Sequence, residues 1–270
     1  MIRITSLALL ALATIAAHTS YLNNQHNGTQ TTEGIEMIGG NEAEVGKHLY
    51  VTGLRVSDAD VNYCAGSLIS PTAVLTSASC AYYNSPTSVS VGSHYSESSA
   101  DGERIKVKTI VVHPKFSTET MAYDYAILEL ETPTTISPVE IWFEDDAATA
   151  PGVMGVARGW GFASSDSEMP KVLKEVGLKI WSNKDCQAAL GERSKLPVDI
   201  AKVCAGGVRG EGPCDGDLGG PLTVSKDGKD VLVAHLSWGV ACAKDGLPSV
   251  YNRLSSAKDF LAPYLPKPAC

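Results

Sequence analysis

Residues 222–238 read LTVSKDGKDVLVAHLSW. Two strand-like halves flank Lys226-Asp227-Gly228-Lys229, and Asp-Gly supplies the positive backbone angles that a tight hairpin turn requires. The stretch is therefore expected to be a β-hairpin. Outward from it, short apolar runs cut by turn residues recur at residues 73–76, 89–92, 105–112 and 126–130, and Val176, Leu178 and Ile180 alternate with period two. Only the chain end reads as helical: Ser256 is placed to cap a helix through Leu261, with Asp259 three residues on and Pro263 and Pro266 to stop it. No internal repeat is evident. The implied class is all-β with a terminal helix.

The chain has 270 residues, 44% of them hydrophobic and 19% charged, a composition and length that support a packed core rather than disorder. Residues 1–20 carry the marks of a secretory signal: Arg3, an apolar run from Leu7 to Ala17, and small residues around residues 16–20 as the cleavage region. A polar, propeptide-like segment, residues 21–36, follows and holds Asn27-Gly28-Thr29, the acceptor pattern for an N-linked glycan. Residues 37–270 are the expected folded domain. No later segment offers the roughly 20 apolar residues of a membrane helix, so the mature chain is expected outside the cell and not in a membrane. The net charge of −8 becomes −9 when Arg3 leaves with the signal, which disfavours nucleic acid and anionic surfaces as partners. Seven cysteines, all from Cys64 onward, fit disulfides in an oxidising compartment, with one left over. No metal-ligand spacing, phosphate loop or catalytic carboxylate pair stands out, so neither a metal nor a cofactor is expected.

The hairpin is preceded directly by Gly216-Asp217-Leu218-Gly219-Gly220-Pro221. Earlier come Met37-Ile38-Gly39-Gly40 and Leu75-Thr76-Ser77-Ala78-Ser79-Cys80, with Asp124-Tyr125-Ala126-Ile127-Leu128 and Gly159-Trp160-Gly161 between them and the hairpin. Ser237-Trp238-Gly239 and Pro248-Ser249-Val250-Tyr251 complete the series. In this order and at these distances the motifs resemble the chymotrypsin and trypsin family of serine proteases, from Met37 to about Leu261. The resemblance implies two packed six-stranded antiparallel β-barrels, a cleft between them and a C-terminal helix. It also implies disulfides Cys64 to Cys80, Cys186 to Cys204 and Cys214 to Cys242, each worth roughly 3 kcal/mol in the chain-entropy model. Cys270 is then the odd cysteine.

The same resemblance exposes departures from the family's chemistry. Ser79 stands where the family has its histidine base, and a neutral hydroxyl is far too weak a base for that role. Leu218 stands where the family has its nucleophilic serine and carries no atom able to attack a carbonyl. Asp124 matches the family's buried aspartate; without an imidazole it must bond to hydroxyls such as those of Ser79 and Ser237 or take up a proton. Of the remaining histidines, His113 matches a surface position and His235 lies in an apolar strand, where a satisfied interior imidazole is the expectation. Gly216 keeps the small residue of an oxyanion hole. Gly212 replaces the aspartate of the trypsin-like specificity pocket, and Ser249 stands where its wall is usually glycine, so basic side chains are not expected to be preferred. Glu36 precedes Met37, which makes trypsin-like processing there unexpected, although Asp217 keeps the aspartate that pairs with a freed amino terminus in active members.

A secreted chain of this family with both positions altered is most similar to the oomycete glucanase inhibitor proteins, protease homologues that bind plant endo-β-1,3-glucanases. That resemblance implies a non-catalytic inhibitor of a host glucanase, a virulence effector acting in the host apoplast. The alternative is an adaptor pseudoprotease that regulates a proteolytic cascade, against which the lack of a cysteine-rich clip module counts. A basic antimicrobial homologue is disfavoured by the negative charge.

Overall fold

The computed structural model describes residues 38–57, 61–97, 101–144, 146–162 and 170–266. The expected signal, the segment with Asn27, and Cys270 lie outside these residues. The first barrel is built by β2 (Val51–Arg55), β3 (Cys64–Ser70), β4 (Ala73–Thr76), β5 (Ser88–Val91), β6 (Glu103–Val112) and β7 (Ala126–Leu130). They close in the order β2-β3-β4-β7-β6-β5, every pairing antiparallel. The second barrel takes β9 (Met154–Gly159), β10 (Lys174–Trp181), β11 (Lys202–Gly206), β12 (Pro221–Lys226), β13 (Lys229–Trp238) and β14 (Pro248–Arg253). It closes through the β9 to β10 pairing. Two short strands are added to it: β1 (Asn41–Glu42) runs antiparallel to β10, and β8 (Glu140–Ile141) runs parallel to β13. The fold is thus two six-stranded antiparallel barrels with a short C-terminal helix.

The local chemistry behaves as the pattern dictates. At the 222–238 hairpin, Lys226 pairs with Lys229 around Asp227 and Gly228, whose φ values of 50° and 76° are the left-handed angles of a two-residue turn. Val176, Leu178 and Ile180 of β10 all point into the second core, while Gly177 and Lys179 are exposed. The helical content was under-read. Besides the terminal α3 (Lys258–Leu261) there are α1 (Ala78–Asn84) and α2 (Asn183–Leu190). Ser256 does not cap α3. It lies in a 3₁₀ turn, Leu254–Ala257, and Ala257 occupies the capping position with no side-chain bond. Nor does Pro263 end the helical path, since Ala262–Tyr264 continues as a second 3₁₀ turn; proline is tolerated in a first turn because its missing N–H has no partner there.

A buried ionic cluster ties the barrels together. Arg158 on β9, almost fully buried, donates through Nε to Glu175 (2.8 Å) and through Nη1 to Tyr50 Oη (2.9 Å) and Thr223 Oγ1 (2.8 Å), with Asp230 at 3.1 Å. His48, just before β2, sits between Asp230 (2.9 Å) and Glu175 (3.4 Å). Burial works against the Asp230 carboxylate, but the bond to His48 and the Arg158 charge outweigh it and hold its pKa below the usual range. Of three disulfides, Cys64–Cys80 ties β3 to α1 (Ala78–Asn84), Cys186–Cys204 ties α2 (Asn183–Leu190) to β11, and Cys214–Cys242 joins two loops. No helix among the described residues is long and apolar enough to cross a membrane.

Candidate functional site

Two elements meet at the centre of the cleft. Helix α1 starts at Ser77, whose hydroxyl caps it by accepting from Cys80 N (3.3 Å), and this fixes Ser79 in the first turn with its side chain inward. Asp124, fully buried, lies two residues before β7 (Ala126–Leu130). Its Oδ1 accepts from Ser79 N (2.7 Å); its Oδ2 accepts from Ser237 Oγ (2.5 Å) and lies 3.3 Å from Ser79 Oγ. Ser79 Oγ is also 3.2 Å from Ser77 Oγ. The carboxylate is therefore satisfied by an amide and hydroxyls, the first of the two alternatives set by its burial. Among the described residues no imidazole faces it.

His235 is fully buried, but its Nε2 approaches the backbone carbonyl of Asp124 (2.9 Å) and Asn252 Nδ2 (3.0 Å) rather than the carboxylate. Burial drives its pKa down, so it is neutral near pH 7. Nδ1 has no hydrogen-bond partner among the described residues, so this imidazole is only partly satisfied. His113 is outside the cleft, stacked on Tyr123 with ring centroids 4.7 Å apart, and its pKa is lowered by burial and by Lys115.

Leu218 packs against the cores of both barrels, and its carbonyl accepts from Ala65 N (2.8 Å), tying the two halves at the cleft floor. Gly216 and Gly219 take φ values of 96° and 78°; a Cβ at Gly219 would lie 2.2 Å from Thr76 Oγ1 and 2.4 Å from Ala65 O, so that position requires glycine. The amides of Gly216 and Leu218 make no hydrogen bond among the described residues, which leaves two donors free at the place of an oxyanion hole.

Beside Leu218 opens a cavity of about 220 Å³ lined by Pro213, Leu236, Val240, Ala241, the Cys214–Cys242 bridge and Ser249 among others. The one charged residue of its lining is Asp215, which is exposed. Gly212 adjoins the lining residue Pro213, and its amide donates to Ile38 O (3.0 Å). Below the cleft, Asp217 is buried and accepts from Gly161 N (2.7 Å) and Cys214 N (3.0 Å). Burial raises its pKa to about 7, the two amides offsetting part of that penalty. A Cβ on Gly159 or Gly161 would come within 2.2 Å of this carboxylate, so both glycines make its niche.

A Trypsin family model matches residues 37–261. The chain belongs to the trypsin family. Among curated relatives, glucanase inhibitor protein 1 of Phytophthora infestans is 39% identical over 230 residues, covering 83% of this chain and 86% of that protein. Glucanase inhibitor protein 2 of Phytophthora sojae is 36% identical over 258 residues, covering 94% and 87% respectively. A trypsin of Saccharopolyspora erythraea is 32% identical over 226 residues, covering 83% and 96%. Overall similarity spans relatives named as inhibitors and one named as a trypsin, so within the trypsin family the residues of the site carry the functional argument.

The structure brings Ser79, Asp124 and Leu218 to one cleft, with Ser237 and Gly216 beside them. Sequence reasoning missed Ser77, which both caps α1 and touches Ser79, and Lys202. Lys202 Nζ is almost fully buried and donates to Met121 O (2.5 Å) and Asn252 Oδ1 (2.6 Å). A capping signal, serine before a run starting Ala78-Ser79-Cys80, was present for the first; a lone lysine opening a β-strand gave none for the second. Groups of three or more metal-binding side chains are absent among the described residues.

Proposed function

We propose that this chain is a secreted, non-catalytic trypsin-family protein that binds a plant endo-β-1,3-glucanase and inhibits it, blunting a host defence. The observation that carries the reading is the state of Asp124: its oxygens are taken by Ser79 and Ser237 where an imidazole is needed, and Leu218 fills the nucleophile's place with carbon. Neither a general base nor a nucleophile is available, and in a convergent enzyme loss of either costs roughly a millionfold in turnover. The scaffold, its cleft and its three bridges are retained without the chemistry, which fits a surface kept for binding. The glucanase inhibitor names of the relatives, and disulfides that suit an oxidising compartment, support the target and the extracellular setting. In this reading residues 1–20 are removed on secretion and Asn27 carries a glycan.

The test is a titration of the purified mature chain against several secreted plant endo-β-1,3-glucanases, read by calorimetry and by glucan hydrolysis, with protease zymogens as a second panel. Stoichiometric binding with loss of glucanase activity and no cleavage is expected. Binding to a zymogen alone, with no effect on any glucanase, would replace this reading by a cascade adaptor.

A further inference from the structure

The two elements that position Ser79 and Asp124 continue into an exposed face that the emptied centre does not explain. One turn beyond Ser79, α1 presents Tyr82 and Tyr83, each 60% exposed, with rings edge-to-face at 5.3 Å. Tyr82 reaches Phe116 (6.1 Å) in the turn after β6 (Glu103–Val112). In the same turn Lys115 holds its ammonium 5.5 Å from the ring of Tyr123, the residue next to Asp124. Tyr82, Tyr83, Phe116, Tyr123 and Lys115 thus form one aromatic face with a cation in it.

The backbone under this face is held in an unfavourable conformation. Met121 and Tyr123 both adopt left-handed φ, 52° and 51°, a conformation that non-glycine residues rarely take. A buried lysine, Lys202, fixes the loop by donating to the Met121 carbonyl, and Ser117 N is bonded to Ala122 O (3.1 Å). Burial lowers the pKa of that lysine, a further cost of placing it there. A strained, pinned loop that displays an exposed tyrosine and a lysine is a preorganised contact surface, and rigid aromatics are the residues that dominate protein interfaces.

We infer that this face is the docking surface for the glucanase, and that it enters the enzyme's substrate cleft. The inference rests on the glucanase reading above. Its occupant follows from charge complementarity. A glycosidase cleft carries a pair of carboxylates about the scissile bond, so it attracts cations. This chain is acidic overall, at −8, and the cation it presents here, Lys115, stands over the Tyr123 ring and next in the chain to Phe116, rings able to occupy space shaped for sugar rings. The rings themselves are poorly arranged for holding a glucan: Tyr82 and Tyr83 meet at 87° and offer no flat platform, which favours a protein partner.

The experiment compares the full mature chain with Tyr82→Ala/Tyr83→Ala, Lys115→Glu and Glu119→Gln, Glu119 being the acidic residue of the same loop. An endo-β-1,3-glucanase inhibited by the parent chain is the probe. The first two variants are expected to bind about 10-fold or more weakly with unchanged thermal midpoints, Glu119→Gln as well as the parent or better. Inhibition should be competitive with a soluble β-1,3-glucan oligosaccharide, and replacing the enzyme's catalytic carboxylates by amides should weaken binding. Parent-like affinity of the first two variants, non-competitive inhibition, or direct glucan binding by this chain overturns the inference while the glucanase reading stands. Absence of any binding by the parent chain overturns both.

Discussion

Two buried aspartates show how far a single environment decides a side chain's role. Asp124 is met by an amide and hydroxyls that supply protons to its oxygens; Asp217 is met by two amides in a niche closed by glycines, and its pKa rises to about 7. The folded form therefore binds the Asp217 proton more tightly than the unfolded chain, whose value is near 3.8. Its contribution is most favourable below about pH 4 and is lost as pH rises towards 7. Asp217→Asn is expected to flatten that fall in a urea-denaturation series from pH 4 to 8; an unchanged slope would show that another group causes it. The gain at pH 8 should be modest, since the new amide nitrogen faces Cys214 N or Gly161 N and forfeits one bond. At the cleft, restoring Ser79→His and Leu218→Ser together is expected to give no efficient cleavage after Arg or Lys, because Gly212 stands where a trypsin-like pocket carries its aspartate and the one acid lining the cavity, Asp215, is exposed to solvent. Robust turnover of a basic peptide substrate by this double variant would contradict the account of the pocket.

Between elements, the charged cluster around Arg158 joins strands of the second barrel to Tyr50 and His48 at the start of the first. Arg158→Met is expected to cost about 3–5 kcal/mol in equilibrium unfolding, because it leaves Glu175 and Asp230 partly buried without their shared cation. The penalty should shrink in acid: Asp230 has a depressed pKa, so its ionised form stabilises the fold above the unfolded value near 3.8 and that benefit is lost as pH falls through the folded value. A loss under about 1 kcal/mol at pH 7 would show that Glu175 and Asp230 do not depend on Arg158 for compensation. This clamp was not legible in the sequence, since Arg158, Glu175 and Asp230 are dispersed over β9, β10 and β13 and come together only through barrel closure. Short apolar strands were legible, as β4 and β7, buried along nearly their whole length, match the apolar runs residue for residue. Helix α1 was not, because residues 78–81 are all buried and give no 3.6-residue alternation. Helix α2 carried a readable sign that went unused, Ser182 with Asp185 three residues on, whose Ser182 hydroxyl accepts from Asp185 N (3.0 Å). At the centre of the cleft, Ser79, Asp124 and Leu218 were legible only through family resemblance, since no periodicity links residues so far apart in the chain.

At the scale of the molecule, the open step is what happens to the segment before residue 37. Ile38 is already fixed, its carbonyl taken by Gly212 N, and Gly39 adopts a φ of 71° where a Cβ would lie 2.1 Å from the Gly210 carbonyl oxygen. A chain cut before Met37 would therefore begin one residue from an anchored point, with a new ammonium group and a buried carboxylate, Asp217, that has no cation among the described residues. An amino group paired with Asp217 would favour its ionised form, lower its pKa from about 7 and remove the loss of stability with rising pH. The cut chain is accordingly expected to have a higher thermal midpoint at pH 8 than the chain that keeps residues 21–36, and Asp217→Asn should lower that midpoint instead of raising it. Calorimetry on the four proteins at pH 5 and pH 8 checks this. If cut and uncut chains melt together at both pH values, Asp217 stays unpaired, and glucanase binding is then expected to be equal before and after the cut. If the cut chain is more stable only at pH 8, the pairing has formed and Asp217 is held ionised in the folded chain.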